Sequence, residues 1–292
     1  MEKKQHVKRT EVRITVCDRS RYSNSLWSQF GLSMVLDVFF DDCSFRRTLF
    51  DTGWTYPPLQ NNLAELGIPI ESIDWLALSH SHYDHTGGLG GIMKEPEGRF
   101  SLIAHEEIAR PVYSQRKSLT YIGMDPSLLG SLPQNRLLLV KEPVEFLPGV
   151  WFSGTIPRVT SFEQAEWGVS ILEEGILRPD PENDDSSIFV DILSEGILVL
   201  TGCCHAGLIN TLEAARNLFR ERPIVAVIGG FHLVDQKEEV RLQTVDQLSD
   251  FPDLRVWSGH CTGEIGERML GEKLGDRFAP FYTGDLISFG SC

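Results

Sequence analysis

The stretch DWLALSHSHYDHTGG, residues 74–88, decides how this chain folds and where its chemistry lies. It opens with a short apolar run, which predicts a buried strand over residues 74–80, and continues into a polar loop that ends in two glycines. Three histidines and one aspartate occur within residues 80–85. A strand that delivers four such side chains at one sheet edge is hard to explain by packing, so we interpret the loop as a metal-binding segment.

The spacing of these four side chains suits one metal-binding edge. Alternation along an extended segment places His80 and His82 on the same side. Asp84 and His85 bend back toward them if a helix begins at the glycines that follow. Neutral imidazoles and a carboxylate are ligands that zinc, iron, manganese and nickel accept. The competing interpretation is a surface loop that happens to be rich in histidine, and it does not explain the apolar strand that precedes the loop.

The composition narrows the classes of partner. The chain has 292 residues with 27 basic and 41 acidic side chains, a net charge of −14, and 41% hydrophobic residues, as in ordinary globular proteins. This acidity argues against nucleic-acid binding, so we expect a small-molecule substrate. No apolar stretch is long enough to span a membrane, and the N-terminus lacks the apolar core of an export signal. We therefore expect a cytoplasmic protein without membrane partners.

Cysteine spacing excludes one kind of metal site. Six cysteines occur, at positions 17, 43, 203, 204, 261 and 292, and no two of them form a CxxC pair. A zinc ribbon built from paired cysteines is therefore excluded. Free thiols are the default in the cytoplasm.

Strand and helix patterns alternate along both halves of the chain. Apolar hairpins at 33–53 and 186–202 each precede alternating helices and strands, which predicts a mixed α/β fold. The stretch 93–160 between them is less periodic and is expected to be rich in loops. Within it, the segment at about 110–136 is interpreted as an insertion or lid. Residues 1–292 contain no Pro-, Gly- or Ser-rich linker, which favours one domain.

Three later histidines also follow apolar strands. They are His205 in TGCCHAG, His232 in GGFHL and His260 in SGHCTGE. Each occupies the same kind of position as the histidines of the 80–85 loop. The HEEIA stretch at His105 fails the HExxH pattern of helical zinc sites and is given no metal role.

The HxHxDH pattern of residues 80–85, after a strand and before two glycines, resembles the signature of the metallo-β-lactamase superfamily. The upstream LFDTG, with Asp51 and Gly53, is similar to the strand-end motif that precedes the metal loop in that family. With GTIPR at 154–158, the later histidine segments resemble the branch named after 7,8-dihydropterin-6-methyl-4-(β-D-ribofuranosyl)aminobenzene-5′-phosphate synthase. The resemblance implies a four-layer αββα sandwich with mixed sheets, outer helices and a mononuclear or binuclear metal site.

The resemblance also implies which side chains bind the ions. The two ligand sets are His80, His82 and His205 for the first ion, and Asp84, His85 and His260 for the second. A hydroxide would bridge the two ions. Zinc is the preferred metal, with manganese or iron as alternatives.

Two positions remain open. Many members of the superfamily carry a bridging aspartate in a TGD sequence, whereas the matching TGC here has Cys203. Either Cys203 supplies a thiolate, which favours zinc or iron, or the second position binds more weakly, or a histidine fills the gap. Cys203 and Cys204 serve equally well as small buried residues beside a tight loop. His232 is a ligand, a proton donor or a group that orients a ligand.

This set of side chains predicts a metallohydrolase. A dication held by imidazoles lowers the pKa of bound water toward roughly 7, so hydroxide forms at neutral pH. Asp84 would orient that hydroxide or accept its proton, which makes it the candidate catalytic residue. The expected substrate is a small-molecule ester, lactone or phosphoester, and the branch suggests a pterin-related phosphate. Arg158 is the candidate substrate-binding residue, against the alternative of a surface salt bridge.

Three other functions compete with hydrolysis. The same fold hosts iron enzymes such as sulfur dioxygenases, so an iron-dependent oxidoreductase is the first alternative. A nuclease of this fold is the second, and the net charge of −14 argues against it. A metal-dependent binding protein without catalysis is the third, and it needs fewer ligands than the cluster offers.

Overall fold

Two large β-sheets that face each other form the centre of the protein in the computed structural model, which describes residues 5–22, 25–96, 98–165 and 168–291. In chain order the strands are β1 (Val7–Val16), β2 (Ser33–Phe40), β3 (Phe45–Phe50), β4 (Trp75–Ala77), β5 (Ser101–His105), β6 (Val112–Ser114), β7 (Thr120–Tyr121), β8 (Leu137–Val140), β9 (Val144–Leu147), β10 (Val150–Phe152), β11 (Val169–Glu173), β12 (Ile176–Pro179), β13 (Ser187–Ile192), β14 (Gly196–Thr201), β15 (Ile224–Gly229), β16 (Arg255–Ser258), β17 (Phe278–Pro280) and β18 (Leu286–Gly290). The α-helices are α1 (Tyr56–Glu65), α2 (Tyr83–Thr86), α3 (Leu89–Ile92), α4 (Ser127–Gly130), α5 (Leu208–Leu218), α6 (Glu238–Gln247) and α7 (Gly263–Leu274). Short 3₁₀ helices occur at Ile70–Ser72, Gln134–Arg136, Leu248–Asp250, His260–Thr262 and Gly275–Arg277. Cys292 lies outside the described residues.

Both sheets are mixed, and they meet where β1 passes β13. The first sheet contains β18, β1, β2, β3, β4, β5 and β8, with antiparallel pairs as far as β3 and parallel pairs beyond it. The second contains β9, β10, β13, β14, β15, β16 and β17, and its last four strands are parallel. Val7 pairs with Ile192, which links the two sheets at one corner.

Alternating side chains of the strands separate an inner core from two outer ones. Leu36 and Val38 of β2 belong to the same buried cluster as Leu198 and Leu200 of β14, so this core lies between the sheets. Val35, which points the other way from β2, belongs to a different cluster on the outer face. The alternation of apolar residues in both hairpins therefore supplies two hydrophobic faces per sheet.

Helices cover the outer faces of both sheets. Leu59 of α1 packs in one cluster with Leu49 of the first sheet. Leu212 of α5 and Leu270 of α7 pack in another with Val199 of the second sheet. The order helix, sheet, sheet, helix confirms the predicted four-layer αββα sandwich. None of the helices within the described ranges has the length and apolarity needed to cross a membrane.

The predicted elements are present, with shifted ends. The strand predicted over residues 74–80 is β4, which ends at Ala77. Helix α1 begins at Tyr56, because Pro57 and Pro58 fit the first turn of a helix, where no backbone donor is needed.

The middle of the chain contains more sheet than its weak periodicity indicates. β5 pairs in parallel with β4, and β8 pairs in parallel with β5, so both extend the first sheet. β6 and β7, in the segment at 110–136, join β11 and β12 in a separate four-stranded sheet. The role of this segment as an insertion or lid, and the assignment of residues 1–292 to one domain, stay predictions.

The carboxyl ends of several strands carry the predicted ligands. β3 and β4 run parallel, as do β14, β15 and β16, so within each sheet these strands end at one edge. The loops that leave these ends contain residues 80–85, 203–205, 232 and 260.

Candidate metal centre

Three histidines from two distant loops face one another at this edge. His80 follows β4, His82 immediately precedes α2, and His205 lies between β14 and α5. The ring centroids of His80 and His82 are 4.7 Å apart, and the His205 centroid is 4.7 Å from the first and 4.8 Å from the second. The structure thus brings together the three side chains predicted for the first ion.

A second group adjoins the first. Asp84 and His85 lie in α2, and His260 begins the short helix after β16. The Nε2 atom of His260 is 3.3 Å from Asp84 Oδ2 and 3.3 Å from His85 Nε2. The ring centroid of His85 is 4.3 Å from that of His80. The three side chains predicted for the second ion therefore also meet, directly beside the first group.

The thiol of Cys203 lies where the two groups join. Its Sγ atom is 3.0 Å from His85 Nε2. Cys203 Sγ belongs with both groups of potential ligand atoms. One group contains Asp84, His85 and His260 and the other contains His80 and His205, and within each group, Sγ included, all ligand atoms lie within 4.8 Å of one another. Cys203 takes the place of the expected bridging aspartate in the sequence, and in the fold it lies between the two groups.

Carboxylates behind two of the histidines set which nitrogen carries the proton. His85 Nδ1 donates to Asp51 Oδ2 at 2.6 Å, and His260 Nδ1 donates to Asp18 Oδ1 at 2.9 Å. An ionised carboxylate only accepts hydrogen bonds, so in the neutral rings Nε2 carries the lone pair. Two such lone pairs face each other at 3.3 Å, which a cation between them would relieve.

Two successive hydrogen bonds through Ser79 place the ring proton of His80 on Nδ1. The Ser79 hydroxyl donates to Asp51 Oδ2 at 2.7 Å and therefore accepts from His80 Nδ1, which lies 2.9 Å away. His80 Nε2 is buried and has no hydrogen-bond partner among the described residues. A buried acceptor of this kind is costly unless something binds it, so the site fits a metal ion.

An ion pair between Arg158 and Glu182 lies beside His205. Its Nδ1 atom lies 3.4 Å from Glu182 Oε1, and Arg158 pairs with the other carboxylate oxygen of Glu182 at 2.9 Å. Arg158 also donates to the carbonyl oxygen of His205 at 2.8 Å. The structure thus places the guanidinium of Arg158 behind a predicted ligand, and its predicted contact with substrate stays a prediction.

Burial sets the protonation states that metal binding requires. Burial and the neighbouring imidazoles lower the pKa of His80 and of His205 well below the ordinary histidine value, and burial lowers the pKa of His82 to about 4. Burial alone would raise the pKa of Asp84, but His85 and His260 hold it below its ordinary value. The rings of His80, His82 and His205 are therefore neutral and the carboxylate is ionised at neutral pH, as cation ligands must be. Burial alone would lower the pKa of His85 and His260 as well, but Asp51 holds the pKa of His85, and Cys261 and Asp18 hold that of His260, above the ordinary value, so a cation must displace a proton from these two rings.

Comparison with known proteins agrees with this geometry. The family model of the metallo-β-lactamase superfamily matches residues 46–154. A protein of Methanocaldococcus jannaschii named 7,8-dihydropterin-6-methyl-4-(β-D-ribofuranosyl)-aminobenzene-5′-phosphate synthase is 30% identical over 278 residues, which cover 93% of this chain and 94% of the relative. The chain belongs to the metallo-β-lactamase superfamily. Members of this superfamily depend on metal ions, and this one has the residues to bind them.

Solved structures show the same superfamily fold. The crystal structure of Tm1679, described as a metal-dependent hydrolase of the β-lactamase superfamily, superposes with a TM-score of 0.79 at 23% identity, covering 97% of this chain and all (100%) of that one. Zn²⁺-bound PqqB from Methylobacterium extorquens superposes with a TM-score of 0.51 at 12% identity, covering 95% and 99% of the two chains. At such identities the likeness establishes the fold.

Backbone strain is concentrated in the loops of this metallo-β-lactamase site. Asp51, Cys204, His232 and His260 adopt the left-handed backbone region, with φ angles of 61°, 62°, 43° and 50°. Each such residue costs on the order of 1–3 kcal/mol and persists only where its surroundings fix it. The strained positions lie after strand ends, where Asp51, His232 and His260 turn their side chains toward the centre, whereas the Cys204 thiol lies 3.3 Å from Thr211 Oγ1 in the outer core.

Two further histidines lie in different settings. His232 is beside the first group, with its ring centroid 4.4 Å from that of His205, and its backbone N–H donates to Cys261 Sγ at 3.3 Å. The potential ligand atoms of Cys203, His232 and Cys261 form a third set within 4.8 Å. His105 lies at the end of β5, and its Nε2 is 2.8 Å from Thr155 Oγ1.

The sequence did not identify the residues that contact the predicted ligands and orient them. Asp18 follows β1 in a loop without a recognisable pattern. Glu182 lies in the acidic stretch DPENDD, which resembles a solvated surface loop but is buried. Ser79 and Cys261 carried no signal beyond being next to a histidine. Only Asp51, in LFDTG, was marked by a motif.

Proposed function

We propose that this protein is a metal-dependent hydrolase that uses two divalent ions, preferably zinc, on a small-molecule phosphoester. Carboxylic esters and lactones are within reach of the same chemistry, and a pterin-related phosphate is the preferred substrate. One observation supports this most strongly: six potential ligands from distant loops meet in two adjoining groups, and oxygen atoms beside Nδ1 of His80, His85 and His260 leave each Nε2 to bind a cation when the ring is neutral.

The residues of the site have different chemical roles. When bound, divalent ions supply Lewis acidity and hydroxide at neutral pH. Asp84, which is ionised because His85 and His260 hold its pKa down, accepts a proton from the attacking water. The Asp51 carboxylate contacts His85 directly and contacts His80 through the Ser79 hydroxyl, so it orients one ligand in each group.

The preference for phosphate rests on a cationic cavity beside the first group. A cavity of about 730 Å³ is lined by Arg116, Lys117 and Lys237, with Asp235 as the acidic member. It shares Gln164, Gln236 and Val240 with a smaller cavity lined by His205 and His232. An excess of positive charge beside the site is notable in a chain whose net charge is −14. The name of the Methanocaldococcus jannaschii relative also contains a 5′-phosphate.

An iron-dependent oxidoreductase is the second candidate, and one observation favours it. Cys203 Sγ lies among the potential ligands of both groups, and a thiolate suits iron as well as zinc. Metal analysis of the protein purified without added metal separates the two candidates. Stoichiometric iron with oxygen consumption would support the oxidoreductase, and zinc or manganese with phosphoester turnover would support the hydrolase.

The hydrolase proposal is tested with one variant and a matched control. We expect His82→Ala to abolish turnover of bis(p-nitrophenyl) phosphate and to lower metal content, with the fold retained by circular dichroism. His6→Ala, which changes an exposed histidine outside both groups, should leave turnover and metal content unchanged. Unchanged turnover in His82→Ala would refute the assignment.

A further inference from the structure

Three aromatic rings form an exposed surface beside the second ligand group. The ring of Phe30 lies 5.3 Å from the ring of His260, 6.3 Å from Trp54 and 6.4 Å from Tyr83, and Trp54 lies 5.6 Å from Tyr83. Phe30 is 48% exposed and Trp54 is 47% exposed. Tyr83 is partly buried and directly precedes the ligand Asp84. We call Phe30, Trp54 and Tyr83 the aromatic platform.

Hydrogen bonds fix the backbone that carries the platform. The side-chain oxygen of Gln29 accepts from the backbone N–H groups of Trp54 at 3.1 Å and Thr55 at 2.9 Å, which ties the two aromatic loops together. Gly31, next to Phe30, donates to Asp18 Oδ1 at 3.0 Å. Asp18 is the same carboxylate that accepts from His260, so the platform and a predicted metal ligand share one anchor.

Close packing also leaves the loop little freedom. Gly31 has a φ of 122°, and a Cβ there would lie 2.2 Å from the carbonyl oxygen of Asp84. Leu32 donates to that same oxygen at 3.3 Å. The backbone that carries the exposed rings is therefore fixed before any ligand arrives, which reduces the entropy that binding must overcome.

The size of the platform suits a small planar ring. Fully buried aromatic side chains each cover about 150–250 Å², so half-exposed Phe30 and Trp54 with part of Tyr83 offer roughly 300 Å². A stable protein interface needs about 800 Å² per partner. Apolar rings exposed together beside a polar centre mark ligand contact rather than core packing. The edge-on contacts between Phe30 and Trp54 and between Trp54 and Tyr83 leave ring faces available for stacking.

The geometry points to the aromatic platform as the part of the site that selects substrates with a planar aromatic or heteroaromatic group, stacked beside Asp84 and His260. This inference rests on the proposed function, because it assumes that the reacting phosphate lies at the two ligand groups. The cationic cavity lies beside His205 and His232, whereas the platform lies beside His260. A substrate would therefore extend from the platform across the ligand groups, with its negative charge toward the cavity.

The test compares two phosphonates that are not hydrolysed, at a pH high enough for both to be fully ionised and so to carry the same charge. Binding of phenylphosphonate and ethylphosphonate to the zinc-loaded protein is measured by calorimetry. We expect phenylphosphonate to bind about 5- to 10-fold more tightly, as one or two aromatic contacts allow. Phe30→Ala and Trp54→Ala should each reduce that preference severalfold, with zinc content and ethylphosphonate affinity unchanged. Tyr22→Ala, which removes a 99% exposed ring outside the platform, should retain the full preference.

The outcomes separate the platform from the proposed function. Equal affinity for the two phosphonates in the wild-type protein, or a preference that survives in both alanine variants, would overturn the platform and leave the proposed function standing. If neither phosphonate bound the zinc-loaded protein, both the platform and the proposed function would be overturned. Trp54→Phe keeps an aromatic face, so recovery of the preference in that variant supports stacking even if Trp54→Ala folds poorly.

Discussion

The carboxylates behind the two ligand groups should control the two metal positions separately. Glu182 contacts the first group, through His205 Nδ1 at 3.4 Å. Asp18 contacts the second group, through His260 Nδ1 at 2.9 Å. Glu182→Gln and Asp18→Asn keep an oxygen acceptor at each place and remove the carboxylate; because burial raises the pKa of Glu182 to about 8, the comparison is made above that pH, where Glu182 is charged. We expect each substitution to weaken the ion bound by its own group and to spare the other.

The magnitude follows from how deeply each carboxylate is buried. Loss of a carboxylate partner behind a metal-bound histidine costs about 10- to 100-fold in metal affinity, or about 1.4–2.7 kcal/mol. The Asp18 side chain is 35% exposed, so water replaces part of its effect and we expect the lower end of the range. The Glu182 side chain is 4% exposed and is paired with Arg158, so we expect the upper end.

The assay isolates one position at a time. His82→Ala disables the first position, and zinc affinity of the remaining one is measured by competition with a chromophoric chelator at constant pH. In that background Asp18→Asn should weaken binding and Glu182→Gln should not. The His260→Ala background should show the reverse. Asp37→Asn, which removes a carboxylate paired with Arg47 away from the site, is the control and should change neither.

A symmetrical result would refute this reasoning. If both carboxylate substitutions weakened the same position, or weakened both positions equally, the two groups would not act as separate sites. If neither changed zinc affinity, the contact of Glu182 with His205 and the hydrogen bond of Asp18 with His260 would have no bearing on metal binding.

Three further predictions address the thiol, the buried acids and the backbone. Cys203→Ser should reduce zinc occupancy at the second position more than at the first, because Sγ is only 3.0 Å from His85 Nε2, and the cobalt-loaded protein should lose its thiolate absorption band; equal losses at both positions would contradict this. Burial and the nearby Asp180 raise the pKa of Asp184 to about 7. The folded protein therefore favours protonated Asp184, and the stability from this group is fully present below about pH 4 and is lost as the pH rises through 7. Urea unfolding of the metal-free protein should therefore show Asp184→Asn gaining about 2 kcal/mol relative to wild type between pH 5 and pH 8, and a difference independent of pH would count against it. Gly202→Ala should lower the free energy of unfolding by about 1–3 kcal/mol, since its Cβ would lie 2.1 Å from Ser79 Oγ, whereas Gly130→Ala, with no atom within 4 Å, should be close to neutral.

Local patterns made the first half of the site predictable. His80, His82, Asp84 and His85 lie within six residues, so one strand and one turn decide their arrangement. His205 and His260 could also be predicted, because each follows an apolar strand and parallel strands end at a common edge. The mixed α/β class followed from the two hairpins and the helices and strands after them, and the four-layer sandwich followed from the resemblance to the superfamily.

Contacts between distant loops could not be predicted from local sequence patterns. Asp18 meets His260 across 242 residues of sequence, and nothing in the β1 loop marks it as a partner. Arg158 was predicted to bind an anion, and the nearest anion in the structure is Glu182, 24 residues away and buried in an acidic stretch. β8 is a short strand whose pairing with β5 depends on the whole sheet, so weak periodicity concealed it.

Anomalous diffraction from crystals of the zinc-loaded protein, recorded on both sides of the zinc absorption edge, tests the central claim most directly. The account predicts two anomalous peaks, one among the Nε2 atoms of His80, His82 and His205 and one among Asp84, His85 and His260. A zinc-loaded crystal with no anomalous peak at either group would contradict it.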